Sequence, residues 1–422
     1  MTGTDSRIDL IYSITDQIRS SLNGCRDEID DRSVMEMVQQ YVVNSPETER
    51  LSLTDKMAVS EGVFSSLRRD LDFLEKYMKQ DDISEIMVNG CSNIFIERQG
   101  SIERIPEYFP GSRELEEVIM RIGARIHREI NDLNPILDAR LPDGSRVHAV
   151  SKSIAVNGPV LTIRKFPEHR IVMEELIERN SITREAADFL RELVAAGYNI
   201  FISGGTSSGK TTFLNALSDY IPRDERVIVI EDSMELQMDS IENIVRLETR
   251  NANVQGQGEI TMRQLIKASL RMRPDRIIVG EVRGAEVIDM ISAMNTGHDG
   301  SLSTGHANSA SGMLSRLETM FLTAASFPIE AVRGQISTAI DIIVHLGRLK
   351  DKSRRVLEIT EVAGMKDGEI ILNPLYTFQI SPAAEIQEGS VGGTEAGRLA
   401  PTGNSLVKKR KLEMKGCGQN AS

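Results

Sequence analysis

The sequence predicts an α/β protein with three parts. A C-terminal domain rests on a doubly wound, largely parallel sheet, a smaller α+β domain precedes it, and a helical extension leads the chain. Three observations carry this. From about residue 183 to about 378, apolar strand-like runs alternate with helical patterns, as in a parallel sheet covered by helices on both faces. The stretch Gly204-Gly205-Thr206-Ser207-Ser208-Gly209-Lys210-Thr211 has the form G-x-x-x-x-G-K-[ST] and falls where a strand gives way to a helix. Near Asp81 a helical pattern gives way to short alternating strands.

The whole-chain numbers bound the function. A length of 422 residues suits two or three domains, and 40% apolar with 27% charged residues is an ordinary globular balance. A net charge of −12 argues against a dedicated nucleic-acid binder. The three cysteines, Cys25, Cys91 and Cys417, are far apart, which excludes a cysteine zinc site or a disulfide framework and fits a reducing compartment. No apolar run is long enough to span a bilayer, and Met1-Thr2-Gly3-Thr4-Asp5-Ser6 lacks the features of a signal peptide. The expected location is the cytoplasm, with any membrane association peripheral and through partners.

Residues 1–80 form the expected helical extension. Ile8, Ile11, Ile14 and Ile18 recur at helical spacing, then Val34, Met37, Val38, Tyr41 and Val42, then Val63, Leu67, Leu71, Leu74 and Met78. A packed satellite bundle and a partner-binding arm both fit this pattern. Residues 81–166 form the α+β domain, with strands near 86–90, 93–98, 102–104, 137–140, 146–150 and 160–164 and a helix near 113–129. It places Arg140, Arg146 and Arg164 on strands or at their ends. A linker covers 167–182, and Thr183 is a candidate N-cap for the next helix. The C-terminal domain spans 183–380, with strands at 198–203, 227–231, 244–248, 276–280, 300–304 and 341–346. Residues 381–422 lose periodicity and read as a disordered tail, whose basic run Lys408-Lys409-Arg410-Lys411 is a solvated cluster or a contact for acidic lipid or a partner.

The glycine-rich stretch carries the chemistry. Its backbone N–H groups can curl around phosphate oxygens at a helix N-terminus. Gly204 to Thr212 are therefore the expected nucleotide ligands (Gly204, Gly205, Thr206, Ser207, Ser208, Gly209, Lys210, Thr211 and Thr212). Lys210 supplies charge for the β/γ-phosphates, and the Thr211 hydroxyl suits Mg²⁺. Hydrolysis needs more: an acid to support the metal and a group to direct water. The strand 227–231 ends in Glu231-Asp232, with Glu235 beyond, and the strand 276–280 runs into Glu281. Carboxylates at the carboxyl ends of parallel strands sit where ligands collect in such sheets. Glu281 is also the expected Mg²⁺ partner, directly or through water. His298 and His306 then flank the next strand, and imidazole there can report on a γ-phosphate or a carboxylate.

The run Arg271-Met272-Arg273-Pro274-Asp275-Arg276-Ile277-Ile278-Val279-Gly280-Glu281-Val282-Arg283-Gly284 and the later Met294-Asn295-Thr296-Gly297-His298-Asp299-Gly300 resemble the type II/IV secretion system ATPase family. Upstream, Asp138 to Val147 and Leu161 to Phe166 are similar to the branch that powers Tad/Flp-type pilus assembly. The resemblance runs over about 80–378. It implies a hexameric ring binding ATP and Mg²⁺ between an N-terminal domain and a RecA-like C-terminal domain, docked on inner-membrane platform proteins. Carried over by motif, Glu235 corresponds to the glutamate assigned to the catalytic water, with Glu231 close by. Glu281 is the Walker B acid, and His298 and His306 form the His box. Arg146 and Arg164, and less closely Arg140, match arginines that reach the phosphates, with Arg246 and Arg250 as further candidates. A pilus retraction motor, a conjugative type IV secretion ATPase, a DNA translocase and a nucleotide-gated scaffold remain the alternatives.

Overall fold

The computed structural model describes residues 3–22, 30–126, 128–166, 170–250, 252, 257–380 and 397–415. Cys25, Cys417, the first linker residues 167–169, and the parts of the expected disordered tail at 381–396 and 416–422 lie outside the described residues. The chain divides into two compact units, Met1–Glu168 and His169–Ser422.

The first unit opens with α1 (Gly3–Leu22), α2 (Asp31–Asn44) and α3 (Leu53–Arg68). Ile14, Ile18, Val34, Val38, Val42, Val59, Val63 and Phe64 close a small core between them. Asp30 and Ser52 cap α2 and α3 by accepting from the backbone N–H groups of Ser33 and Asp55. The expected third helical segment does not run on to Met78. It breaks at Asp72, whose backbone is left-handed (φ 56°) and whose buried carboxylate accepts from Tyr12 Oη, Ser66 Oγ and the Phe73 N–H. Burial holds this carboxyl above its usual range, and it ties α1 to the end of α3. A 3₁₀ turn and α4 (Glu75–Met78) follow, and Leu71, Leu74 and Tyr77 pack in the next core instead.

That core lies under a six-stranded antiparallel sheet of β1 (Ile83–Asn89), β2 (Ile94–Arg98), β3 (Ser101–Arg104), β4 (Ile136–Arg140), β5 (Arg146–Val150) and β6 (Val160–Arg164). The spatial order is β3-β2-β1-β6-β5-β4. Helix α5 (Ser112–Arg125) covers one face through Leu115, Val118, Ile119 and Ile122, which recur at helical spacing and are all buried.

The second unit contains α6 (Met173–Glu178), α7 (Arg184–Ala195), β7 (Ile200–Gly204), α8 (Lys210–Ser218), β8 (Val227–Glu231), β9 (Ile244–Glu248), α9 (Met262–Ser269), β10 (Arg276–Val279), α10 (Glu286–Met294), β11 (Leu302–His306), α11 (Ala310–Ala324), α12 (Ile329–Ala339), β12 (Ile342–Arg348), β13 (Arg354–Lys366), β14 (Glu369–Ile380), β15 (Gly397–Pro401) and α13 (Arg410–Met414). Thr183 caps α7 as its position predicts. The nine-stranded sheet runs β15-β14-β13-β12-β7-β11-β10-β8-β9. Strands β12 through β9 in that order are parallel, and β13, β14 and β15 add an antiparallel wing. β7, β8 and β10 are buried along their whole length, so they read as unbroken apolar runs rather than alternating ones.

The wing corrects two expectations. The strand–helix alternation stops at β12, and residues 354–380 form a long hairpin. The expected disordered tail is ordered over 397–415, as β15 paired to β14 and then α13. Its anchors are remote in sequence. The buried Glu361 carboxylate accepts from the N–H groups of Val407 and Lys408, while Lys408 and Lys411 pair with the buried Asp341. Lys408 and Lys411 are therefore structural cations rather than a solvated cluster.

Candidate functional site

The site is built on the turn from β7 into α8. Ser207 (φ 58°) and Gly209 (φ 93°) both take the left-handed backbone that wraps the turn before α8 opens. Gly204 must lack a side chain, because a Cβ there would come within 2.5 Å of Ser208 Oγ and 2.7 Å of the Leu346 carbonyl on β12. At the first residue of α8, Lys210 folds back over the loop. Its Nζ donates to the carbonyls of Gly204 (3.2 Å) and Gly205 (2.9 Å) and to His306 Nδ1 (3.3 Å). Burial lowers the Lys210 pKa, opposed by Glu281 and reinforced by Arg283.

Strand register brings His306 to this point. It is the last residue of β11 and lies opposite Gly204 of β7. Its Nε2 is 2.8 Å from Glu281 Oε1, just beyond the end of β10. Burial first, then the Lys210 charge, depress the His306 pKa, while Glu281 opposes them, so the ring is neutral at neutral pH. An ammonium only donates, so Nδ1 accepts and Nε2 carries the proton, close to Glu281 Oε1 but not aligned for a hydrogen bond to it. A lysine, a neutral imidazole and a carboxylate thus form a continuous polar line across three strands.

Arg283 closes the far end of this line. Its Nη2 donates to Glu281 Oε2 at 2.6 Å, and its Nη1 is 3.8 Å from Asp232 Oδ2. The hydrogen bond to Glu281 holds its pKa up, helped by the charges of Asp232 and Glu235. Arg283 is the residue the sequence reading passed over. It stands two positions after Glu281, in the connection from β10 to α10. A groove of 840 Å³ adjoins the loop and is lined in part by Gly205, Thr206, Arg283, His306, Asn308 and Arg316.

The other expected residues divide sharply. Glu231 is buried, and its carboxylate accepts from the N–H groups of Glu235 (3.0 Å) and Leu236 (3.2 Å). It therefore positions the turn that carries Glu235. Asn215 of α8 holds the same turn by accepting from the Gln237 N–H. His298 is not brought to the loop. It precedes β11 at the amino end of that strand, and its Nδ1 lies 3.1 Å from the Ala293 carbonyl at the end of α10. The length of β11 separates the two histidines, so only His306 reaches Lys210. Arg250 donates to the Gly258 carbonyl within its own loop, and Arg246 is 3.5 Å from Asp239.

In the first unit, register aligns the three arginines. Arg140 faces Arg146 across β4 and β5, and Arg146 faces Arg164 across β5 and β6. Like charges placed directly opposite one another repel, so a transverse row of guanidinium groups is suited to an anion. Arg140 also donates to the Gly144 carbonyl and stacks over Phe166.

No group of three or more His, Cys, Asp or Glu able to hold a metal occurs among the described residues. The donors that are present, the Thr211 hydroxyl and the Glu281 carboxylate, are hard oxygens. They fit Mg²⁺, which is usually held by one or two protein groups together with substrate phosphates. Among the described residues, no helix is long and apolar enough to cross a membrane.

The family described as Type II/IV secretion system protein matches residues 68–391. The conjugal transfer protein TrbB of Rhizobium radiobacter is 33% identical over 312 residues, covering 73% of this chain and 90% of that protein. The type IV secretion system protein PtlH of Bordetella pertussis is 33% identical over 316 residues, covering 68% of this chain and 93% of that protein. The crystal structure of the pilus retraction motor PilT with bound ADP shares the fold, with a TM-score of 0.50, 18% identity, and coverage of 81% of this chain and 87% of that one. The helices before residue 68 and the 397–415 segment lie outside the family match.

Proposed function

The chain belongs to the type II/IV secretion system protein family, and on that premise we propose that it hydrolyses ATP to drive a secretion or pilus-assembly machine. The observation that carries the proposal is the line from Lys210 through His306 to Glu281, at the carboxyl ends of neighbouring strands. Phosphate oxygens entering the loop displace the carbonyl partners of Lys210, so its ammonium transfers from protein to substrate. His306 senses that transfer on one ring nitrogen and passes it to Glu281 through the other. Glu235, presented by the turn that Glu231 holds, directs the attacking water. Thr211 and Glu281 would hold Mg²⁺, which when bound would offset phosphate charge.

The arginine row of the first unit supplies the other half of the proposal. Arg146 and Arg164, with Arg140 beside them, neutralise charge on the transferring phosphoryl group when the domains close, which couples hydrolysis to movement. The working assembly is a hexameric ring in the cytoplasm, bound to an inner-membrane platform and building a Tad/Flp-type pilus. A second reading, a conjugative or type IV secretion ATPase, is supported by the names of the relatives TrbB and PtlH. A DNA translocase is disfavoured by the net charge of −12.

Phosphate release by the full-length protein tests the reading. Glu235→Gln is expected to keep ATP binding and lose turnover, and Arg164→Ala to lose more turnover than binding. Wild-type protein that binds ATP but releases no phosphate under any assembly condition would favour a nucleotide-gated scaffold. Stimulation by DNA would favour the translocase.

A further inference from the structure

β7, which leads into the phosphate loop, is flanked on one side by β11, which delivers His306, and on the other by β12. That second side carries a feature the family motifs do not describe. β12 runs parallel to β7, with Leu346 opposite Gly204, so its last residues pass beyond the loop at the same end of the sheet. The chain then turns through Leu349-Lys350-Asp351-Lys352-Ser353 into β13. The turn is tightly built. Asp351 Oδ1 accepts from Ser353 N–H (2.9 Å) and Oγ (2.6 Å), the Leu349 N–H donates to the Ser353 carbonyl, and Lys352 takes φ 66°. Its base is clamped to the α6–α7 connection. Arg355 donates to the Arg179 and Asn180 carbonyls, and the Val356 N–H donates to Ser181.

Two arginines stand on this turn. Arg348 and Arg354 are directly opposite each other in the ladder, both exposed, two pairs beyond Leu346 and Val356. Leu346 and Val356 pack in the core layer that contains Phe213 and Leu214 of α8. Alternation therefore puts both arginines on the α8 side of the sheet, where the loop lies. The stem of Arg354 confirms this placement, since its Cδ is 3.3 Å from where a Cβ on Gly209 would be. Two guanidinium groups facing each other concentrate positive charge, and an anion lying between them relieves their repulsion.

We propose that Arg354, flanked by Arg348, is a ligand for the diphosphate of the bound nucleotide. The β12–β13 turn is then the wall of the site opposite His306 and Glu281. The assignment rests on the nucleotide-hydrolysis reading above and adds a contact in the same subunit, on the ground-state side of the reaction. The diphosphate is common to ATP and ADP, so Arg354 serves both equally and does not discriminate the transition state.

Titration of full-length protein with ADP and with AMP, together with steady-state hydrolysis of ATP, tests this. Arg354→Ala is expected to weaken ADP about tenfold or more, the loss of a charge-assisted hydrogen bond. It should raise KM for ATP by a similar factor, lower kcat by less, and change AMP affinity least. Arg354→Lys, which keeps the stem and the charge, should recover part of the ADP affinity, and it decides the matter if the alanine variant fails to fold. Wild-type ADP affinity in a folded Arg354→Ala protein would overturn the assignment alone, as would a fall in kcat with unchanged KM. Failure of the wild type to bind ADP would overturn the nucleotide reading along with it.

Discussion

The two ends of the parallel sheet use the same kinds of residue for opposite purposes. At the amino ends of the strands, Arg276 is almost fully buried, with Glu225 and the carbonyls of Val194 and Gly300 as partners. Asp341 is buried there too, with Lys408, Lys411 and the Asn199 N–H around it. At the carboxyl ends, Lys210, His306, Glu281 and Arg283 stand beside an open groove, and the lysine rests on carbonyls that a ligand can replace. One set of charges is enclosed by fixed partners and stabilises the fold. The other is held by partners it can exchange, and this distinguishes a site from a core ion pair.

The contrast can be broken at either end. Lys210→Ala is expected to lower phosphate release about a thousandfold, the upper range for removing a preorganised cation or donor, while the melting temperature stays close to wild type. A large fall in melting temperature would mean that the loop lysine belongs to the fold. At the other end, Arg276→Ala should lower stability in denaturant unfolding by about 3 kcal/mol, since it empties a buried site and leaves the Glu225 carboxylate only the half-exposed Lys415. Nucleotide affinity of the folded fraction should not change. Lys411→Ala should cost less, about 1 kcal/mol, because the side chain is partly exposed and Asp341 keeps Lys408.

The smallest effect is a pH dependence. His345 lies behind the loop, with Ser203 Oγ 3.1 Å from its Nδ1, and burial depresses its pKa below 6.5 against the opposing charge of Glu358. The folded state resists a proton that the unfolded chain accepts. Its contribution is therefore complete above 6.5 and is lost as pH falls through the folded value, and His306 acts in the same direction. Thermal melts between about pH 7.5 and about pH 5.5 should show stability falling with pH, and a shallower slope in His345→Gln. An equal slope would assign the dependence to other groups.

The sequence exposes what is local. The strand–helix alternation, the six parallel strands and the glycine-rich turn all follow from contiguous residues, and so does the position of Glu281 at a strand end. What it hides is set by register or by distant partners. His298 and His306 are close in sequence, yet β11 separates them by its own length. Arg140, Arg146 and Arg164 are scattered in sequence, yet the ladder sets them in one row. The 397–415 segment has the composition of a tail and is ordered because Asp341 and Glu361 need its cations and N–H groups. β13 carries Glu358 and Glu361 in its middle, which masks the alternation of a strand.

The central claim is that the polar line at the carboxyl ends performs chemistry rather than holding structure. The most direct measurement is phosphate release and ADP affinity of Glu281→Gln, which keeps the shape of the side chain and removes its charge. The account predicts ADP affinity within about threefold of wild type and turnover lower by about a hundredfold or more. Turnover within about twofold of wild type would contradict it.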